Sequence, residues 1–254
     1  MNEKEIRLVY SKKAIPIPGY PALYLPELDS TVICDVHLGY EEELQKKGIM
    51  MPKTQKEDIK RRIEKINSIL NTRRIIINGD IRHGFGKINK KEIKEIENFL
   101  LYLSSYYREI ILIKGNHDTF IRPIANRFGY PLIDYLFENE ILIIHGHKEF
   151  GNIIPKSKII ILGHEHPAIN IVNEYGEHKK LLAILYVPTI LNNVIVIVPP
   201  FSIFSTGSAI NVDMSSRRFM SEITKKYAII EEAVPFVIDE KLGTIEFPKL
   251  KLIS

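Results

Sequence analysis

The stretch ICDVHLGY, residues 33–40, joins the end of an apolar run to two side chains that can bind a metal ion. The run at 31–34 leads directly into Asp35, and His37 follows two positions later. Because alternate residues of an extended segment point to the same side, the sequence predicts that Asp35 and His37 converge on one point. A polar strand end with a solvated histidine would give the same short pattern. The rest of the chain has to decide between these two interpretations.

The composition is that of an ordinary globular protein, with 45% hydrophobic and 26% charged residues among 254. The formal net charge of +4 is too small to identify a nucleic-acid-binding protein. A single cysteine, Cys34, excludes an internal disulfide bond, which fits a cytoplasmic protein. The amino terminus lacks the apolar region of a secretory signal, and no apolar window is long enough to span a bilayer. We therefore expect a cytoplasmic protein that does not contact a membrane.

Apolar periodicity predicts that strands and helices alternate in the first half of the chain and that strands dominate the second half. The predicted helices are 54–70, 90–106 and 119–128, and the predicted strands are 31–34, 74–77, 110–113, 132–137, 140–144, 158–162, 168–173 and 181–187, with others between 194 and 204 and after 227. Thr54 and Glu57 form a capping-box pattern at the start of the first helix. This order predicts an α/β fold, a sandwich of three or four layers with helices outside stacked mixed sheets. No linker divides the chain, so we expect residues 1–254 to form a single domain.

Metal-binding side chains recur where predicted strands end. They are Asp35 and His37, then Asp80, then Asn116, His117 and Asp118, then His145 and His147, and finally His164 and His166. Ligands of open α/β sheets bind beyond the carboxyl ends of the strands, so these five strand ends can share one site. Imidazole, carboxylate and amide groups favour Mn²⁺, Fe or Zn²⁺ in a hydrolytic site over a structural zinc site. Asp35, His37, Asp80, Asn116, His145, His164 and His166 are too many ligands for one ion and fit two ions that share a carboxylate.

The ordered blocks DVH, GD, GNHD, HGH and GHEH, between residues 35 and 166, resemble the signature of the calcineurin-like metallophosphoesterase superfamily. The resemblance implies a layered α-β-β-α sandwich of two mixed sheets flanked by helices. It also implies two divalent metal ions, with Mn²⁺ preferred and Zn²⁺, Fe or Ni²⁺ as alternatives. The run ICDVHLGYEEELQKKGIMMPKTQ, together with GHEHPAI, is similar to a small nuclease-like branch whose bacterial members are associated with a DNA ligase and an Lhr-type helicase. That branch implies DNA repair and a helicase or ligase partner.

Carried over residue by residue, the resemblance implies a role for each candidate. Asp35, His37 and His166 would hold one ion, Asn116, His145 and His164 would hold the other, and Asp80 would bridge them. A hydroxide between the ions would be the nucleophile, His117 would act on the phosphate as an acid or electrostatic stabiliser, and Asp118 would orient His117. His83, His147 and Arg122 are candidate substrate contacts. An exposed loop position is the alternative for His83, a supporting role behind the ligands for His147, and a surface salt bridge for Arg122 and also for Arg82.

Three functions remain open on this sequence. The leading one is a metal-dependent phosphodiesterase that hydrolyses phosphodiester bonds in DNA or RNA, as a nuclease does. The others are a phosphodiesterase acting on small nucleotides and a metal-binding scaffold that partners a helicase or ligase. Basic helices beside the metal cleft, such as 54–70, would favour nucleic acid, and an acidic or uniform rim would favour a small nucleotide. Residues 201–214 are predicted either to edge the substrate groove or to form an ordinary turn.

Overall fold

Two mixed sheets lie face to face between helices in the computed structural model of the protein, which describes residues 7–46, 48–49, 54–172, 174–215 and 218–253. The strands are β1 (Ile15–Pro16), β2 (Ala22–Leu25), β3 (Ser30–Cys34), β4 (Arg74–Asn78), β5 (Glu109–Ile113), β6 (Leu132–Ile133), β7 (Tyr135–Glu138), β8 (Ile141–Ile144), β9 (Ile159–Leu162), β10 (Pro167–Val172), β11 (His178–Pro188), β12 (Val194–Ile197), β13 (Ser208–Ala209), β14 (Val234–Asp239) and β15 (Gly243–Glu246). The first sheet has the order β1-β2-β3-β4-β5-β6. The second has the order β13-β10-β11-β12-β9-β8-β7, with β14 paired to β11 and β15 paired to β14.

The helices cover the outer faces of the two sheets. They are α1 (Tyr40–Lys46), α2 (Gln55–Ile69), α3 (Lys90–Ser104), α4 (Arg122–Phe128) and α5 (Glu222–Tyr227), with 3-10 turns at Pro26–Leu28, Ile154–Lys156, Ile230–Glu232 and Leu250–Leu252 and a π-helical turn at Val9–Lys13. Within the described part of the chain, no helix is both long enough and apolar enough to span a membrane.

Three apolar layers follow from the alternation of side chains along the strands. Val32 and Cys34 of β3 face the space between the sheets, together with buried side chains of the second sheet such as Ile161. Ile33, between them in sequence, faces the layer formed with α2, α3 and α4. The outer face of the second sheet packs against α5 through side chains such as Ile223. The predicted α-β-β-α sandwich of two mixed sheets is therefore confirmed.

Parallel register brings the ends of the central strands level with one another. In the first sheet, Cys34 pairs with Asn78, and Asn78 pairs with Ile113. In the second sheet, Ile144 pairs with Leu162, the last residue of β9. Because these strands end in the same row, the loops that follow them leave each sheet side by side. This alignment positions the polar blocks of the sequence next to one another.

Several predicted boundaries differ from those observed. The predicted strand 132–137 is two strands, because the chain leaves the first sheet after β6 and joins the second at β7, with Asp134 at the crossing. The predicted helix 119–128 begins only at Arg122, and the strand predicted between 194 and 204 ends at Ile197, before two prolines. Position 173, predicted as a strand end, lies outside the described residues. The β11 strand begins at His178, which adds three residues to the predicted strand.

The predicted capping box of α2 is not formed. Thr54 makes no side-chain capping hydrogen bond. Instead, the backbone N–H of Gln55 donates to Glu41 Oε1 at 2.6 Å, so a carboxylate on α1 caps α2. The cap therefore comes from α1, the helix that follows Asp35 and His37, and it fixes α2 relative to these two residues.

Candidate metal centre

All seven candidate metal ligands lie on five loops at the carboxyl ends of strands. The loop after β3 carries Asp35 and His37, the loop after β4 carries Asp80, the loop after β5 carries Asn116, the loop after β8 carries His145, and the loop after β9 carries His164 and His166. The first three loops belong to the first sheet and the last two to the second. The structure therefore brings together residues that are up to 131 positions apart along the chain.

The convergence of Asp35 and His37 has a different cause from the one predicted. Neither residue is extended: Asp35 has φ 53° and His37 has φ 50°, in the left-handed region that non-glycine residues rarely adopt. Asp80, His164 and His166 also have positive φ, at 48°, 65° and 47°. Backbone hydrogen bonds hold these turns, for example from His37 N–H to the Asp80 carbonyl at 2.9 Å. Such strained positions concentrate at functional sites.

Asp35, His37 and His166 form one group of candidate ligands, with one ligand atom from each lying within 4.8 Å of the others. The Nε2 atoms of the two histidines are 3.4 Å apart, and His166 Nε2 is 3.5 Å from Asp35 Oδ1. Asp35 is fully buried, and its Oδ1 has no hydrogen-bond partner. Because a buried carboxylate oxygen without a partner is costly, this atom fits coordination of a cation.

Asp80, His145 and His164 form a second such group. His145 Nε2 lies 3.4 Å from Asp80 Oδ2 and 3.1 Å from Asn116 Oδ1, so the amide joins the same group. His145 Nδ1 lies 3.1 Å from the Asn78 carbonyl oxygen. This contact places the proton on Nδ1 and leaves Nε2 free to bind a cation, as outer hydrogen bonds do for metal-bound histidines.

Burial and charge set the protonation of the candidate histidine ligands differently from one ring to the next. The pKa of His37 and that of His164 fall to about 4, chiefly because burial disfavours the imidazolium form. Both rings are therefore neutral near pH 7, the form that binds a metal. Burial also acts to lower the pKa of His145, but the charges of Asp35 and Asp80 raise it to about 9. These carboxylates favour positive charge at this point, which a divalent ion would supply.

Asp80 lies at the centre of the cluster. Its Oδ1 accepts a hydrogen bond from the backbone N–H of His117 at 2.9 Å, and its Oδ2 is 3.7 Å from His117 Nε2 and 3.4 Å from His145 Nε2. Burial opposes ionisation of Asp80, but the hydrogen bond and charge of His145 outweigh burial and hold the pKa of Asp80 below its ordinary value. Asp80 is therefore an anion that lies close both to His145, a member of the same ligand group, and to His117, the candidate acid.

The predicted contact between the Asp118 carboxylate and the His117 ring is not formed. Its carboxylate accepts hydrogen bonds from the backbone N–H groups of Ile81 at 3.0 Å and Gly115 at 2.9 Å. The Nδ1 atom of His117 instead contacts the backbone carbonyl of His83. Burial, reinforced by the charge of Asp80, raises the pKa of Asp118 to about 7. Asp118 thus ties together the loops after β4 and β5, and the His83 carbonyl orients His117.

The remaining predicted residues differ in their distance from the centre. The His83 ring lines the cleft, with its centroid 5.1 Å from that of His37. The half-buried His147 ring lies 5.3 Å from that of His145. Arg122 is exposed at the first turn of α4 and is not part of the cleft wall. Arg82, expected in a surface salt bridge, is buried and pairs with Glu92 at 2.6 Å, because its side chain turns inward under the loop at 83–86.

An open cleft of about 470 Å³ exposes part of the cluster to solvent. His37, Asp80, Asn116, His164 and His166 form its floor, and residues 204–208 form part of its rim, which is the first of the two alternatives given for the segment 201–214. Within the described ranges, no lysine or arginine side chain lines this cleft. Three basic residues of α2 pair with acids instead: Lys60 with Glu57 at 3.6 Å, Arg61 with Asp58 at 2.5 Å and Arg62 with Glu240 at 2.7 Å.

Two buried residues that support the centre were not anticipated from the sequence. Gln55 Nε2 donates to the His37 carbonyl at 2.8 Å and to Ser202 Oγ at 3.2 Å, so it holds the turn at His37 from the helix side. Glu165, between two ligands, accepts hydrogen bonds from the backbone N–H groups of Met220 and Ser221, both at 2.8 Å. A glutamine or glutamate carries no signal of such a role until its backbone partners are known.

We expect replacement of Gly115 by alanine to disrupt the centre through sterics alone. An added Cβ would overlap Asp80 Oδ1 and the Asp80 backbone nitrogen. Accommodating it should lower the free energy of unfolding by about 1–3 kcal/mol and reduce metal binding. Thermal denaturation and metal analysis would measure both effects. Gly86→Ala is the control, because nothing lies within 4 Å of a Cβ added there. Equal stability and metal content in the two variants would contradict this account.

The arrangement of carboxylate, imidazole and amide groups fits divalent metal ions. The chain is also similar to known proteins in sequence and in fold. A model of the calcineurin-like phosphoesterase family matches residues 30–191, more than half of the chain. The Pseudomonas putida nuclease MPE has a similar structure, with a TM-score of 0.60 and 16% identity over 92% of this chain and 99% of that one. For a predicted phosphoesterase from Streptococcus pneumoniae TIGR4 the TM-score is 0.35, with 13% identity over 86% of this chain and 95% of that one. No curated protein matches the sequence. The chain therefore belongs to the calcineurin-like phosphoesterase family.

Proposed function

We propose that residues 1–254 form one catalytic domain, a phosphodiesterase that uses two metal ions to hydrolyse phosphodiester bonds of DNA or RNA. The observation that carries this proposal is the pair of adjacent ligand groups, Asp35 with His37 and His166, and Asp80 with His145 and His164. A single ion would use only one group. The imidazole of His117 lies 3.7 Å from Asp80 in the cleft wall, where a phosphate ester could reach it.

The two ligand groups would hold two divalent ions, with Asp80 shared between them and Asn116 completing the second group. Mn²⁺ is our first choice of metal, with Zn²⁺, Fe and Ni²⁺ as alternatives, because imidazole and carboxylate ligands suit all of these ions. When bound, such ions neutralise phosphate charge and acidify the attacking water.

The residues of the chain supply orientation and proton transfer. The His83 carbonyl fixes Nδ1 of His117, and this contact leaves Nε2 facing the cleft. From there Nε2 can donate a proton to the leaving oxygen, or as an imidazolium can stabilise charge on the phosphate. Asp118 and Gln55 keep the loops around the site in place through their backbone hydrogen bonds. His83 itself lines the cleft and is the best placed of the candidate substrate contacts.

The nuclease proposal has two further supports. The Pseudomonas putida protein with the similar fold is described as a nuclease. In addition, the seven ligands and His117 are all present, which is unexpected for a scaffold that has lost catalysis. The resemblance of ICDVHLGYEEELQKKGIMMPKTQ to the ligase- and helicase-associated branch leads us to propose a cytoplasmic role in DNA repair beside such a partner.

A phosphodiesterase acting on small nucleotides is the second candidate. One observation favours it: in the part of the chain that the structure describes, no lysine or arginine lines the cleft. Proteins that track a nucleic-acid backbone neutralise several phosphates with such side chains. A short diester would need only the metal ions and the cleft wall.

The proposal is tested on protein stripped of metal and refilled with Mn²⁺, Zn²⁺ or Mg²⁺. The test compares the hydrolysis of four substrates: bis(p-nitrophenyl) phosphate, p-nitrophenyl phosphate, a dinucleotide and a labelled 20-nucleotide oligonucleotide. We expect Mn²⁺ to restore cleavage of the diesters, including the oligonucleotide, in preference to the monoester. Cleavage of the dinucleotide alone would favour the second candidate. Absence of diester cleavage with every metal would overturn both.

A further inference from the structure

A continuous wall of aromatic rings rises from the metal centre to solvent. The Tyr40 ring lies 4.0 Å from the His83 ring, and His83 lies 5.6 Å from His117, measured between ring centroids. Phe85 packs on the outer face of His117 at 3.6 Å, with 67% of its surface exposed. Phe85 therefore presents an exposed apolar ring at the mouth of the cleft.

The cleft wall carries further apolar side chains among the polar residues Ser205, Thr206 and Ser208. Phe204 and Met220 line the cleft, and the Phe204 ring lies 6.1 Å from that of Tyr40. Met220, 50% exposed, is fixed by the hydrogen bond from its N–H to the buried Glu165. The chain therefore adds Phe204 and Met220 to the apolar side chains of the cleft wall, and Glu165 of a ligand loop holds Met220.

The charge of the cleft also indicates which part of a nucleotide it would bind. Phosphate backbones are bound by lysine and arginine, whereas unpaired bases stack on aromatic side chains. Among described residues, the cleft wall offers aromatic rings and no basic side chain, and Lys87 lines the adjoining pocket that shares Phe85 with the cleft. A duplex keeps its bases paired and stacked on one another, so their faces cannot meet such a wall.

We propose that Phe85 and Phe204 hold an unpaired nucleobase next to the scissile phosphate, so that the substrate is a single-stranded or short nucleotide diester. This inference rests on the proposed function. Phe85 is the principal residue, because it is the ring closest to His117 and thus to the bond being broken. Phe204, which lines the same cleft, provides the second ring for the base.

The test compares the dinucleotide thymidylyl-thymidine with the same diester in which an abasic tetrahydrofuran residue replaces one nucleoside. We expect the Mn²⁺-loaded protein to favour the base-containing diester in kcat/KM by about tenfold, the scale of one base–aromatic contact. Phe85→Ala should bring this ratio close to one, and Phe85→Tyr should preserve it. Phe137→Ala, which removes a partly exposed ring of β7 that is not among the cleft-lining residues, is the matched control. Any slowing caused by a looser His117 affects both substrates and cancels in the ratio.

Calorimetric binding of the same two diesters to metal-free protein separates this inference from the proposed function. A binding preference that Phe85→Ala abolishes would support stacking even if no diester were hydrolysed, and the proposed function alone would then be wrong. Equal binding and equal turnover of the two diesters would overturn stacking and leave hydrolysis standing. A single-stranded oligonucleotide should lose little affinity between 50 and 200 mM salt. A loss of about 10³-fold, as expected for six or more phosphate contacts, would also overturn the inference.

Discussion

Replacement of Asp80 by alanine is expected to abolish phosphodiester hydrolysis and to release metal. Asp80 is the carboxylate that contacts His145 at 3.4 Å and the backbone N–H of His117 at 2.9 Å. Its loss removes the shared ligand together with the anchor of the loop at 115–118. Because metal ions supply several kcal/mol of transition-state stabilisation, turnover should fall by about 10³-fold or more. Elemental analysis should find fewer ions per chain, and refilling with Mn²⁺ should raise the Tm less than in the parent protein.

The matched control for this variant is Asp134→Ala. Asp134 is an exposed aspartate at the crossing between the sheets, where its carboxylate pairs with Lys148 at 3.6 Å. That substitution should leave turnover and metal content within experimental error of the parent, since exposed ion pairs contribute little. An Asp80→Ala protein that keeps two ions per chain and full turnover would show that the shared carboxylate has been assigned wrongly.

Replacement of His117 by alanine is expected to slow diester hydrolysis by about 10²–10⁴-fold while leaving the metal in place. The Nε2 atom of His117 faces the cleft, and its Nδ1 is held by the His83 carbonyl, so the side chain is oriented for proton transfer. The two ligand groups formed by the other residues remain complete without it. Turnover and metal content, measured on the same preparation, check both parts of this prediction.

His178→Ala provides the comparison for a histidine outside the cleft. His178 begins β11 and is exposed, 2.9 Å from Asn170. We expect its replacement to change neither turnover nor metal content. Loss of metal in the His117 variant would move His117 into the coordination shell, in agreement with its position within 4.8 Å of ligand atoms of His37 and His83. Unchanged turnover in the His117 variant would show that His117 takes no part in the mechanism.

The sequence was most informative where strands end in polar blocks. Asp35, Asp80 and Asn116 could be assigned to one site because the ends of adjacent parallel strands coincide, which is a general property of such sheets. The cause of convergence within the first block was wrong, since left-handed turns at Asp35 and His37, and not strand alternation, aim the side chains. Backbone turns of this kind depend on hydrogen bonds to other loops, which sequence periodicity does not report.

Other features depended on contacts that only the folded chain reveals. The run at 132–137 reads as one strand, because nothing in its apolar pattern marks the point where the chain changes sheets. Gln55 and Phe85 are ordinary residues of a helix start and a loop. Their importance comes from their partners, the His37 carbonyl and the His117 ring. The orientation of His117 likewise depends on a main-chain carbonyl, which any residue at position 83 could supply.

Each ligand group combines side chains from both sheets: Asp35 and His37 with His166, and Asp80 with His145 and His164. Ions bound there would cross-link the two halves of the polypeptide, in addition to the apolar contacts between them. Separating the sheets would then require release of both ions. Exchange of amide hydrogens in β3 and β9 should accordingly slow together when metal is added, although these strands lie in different sheets.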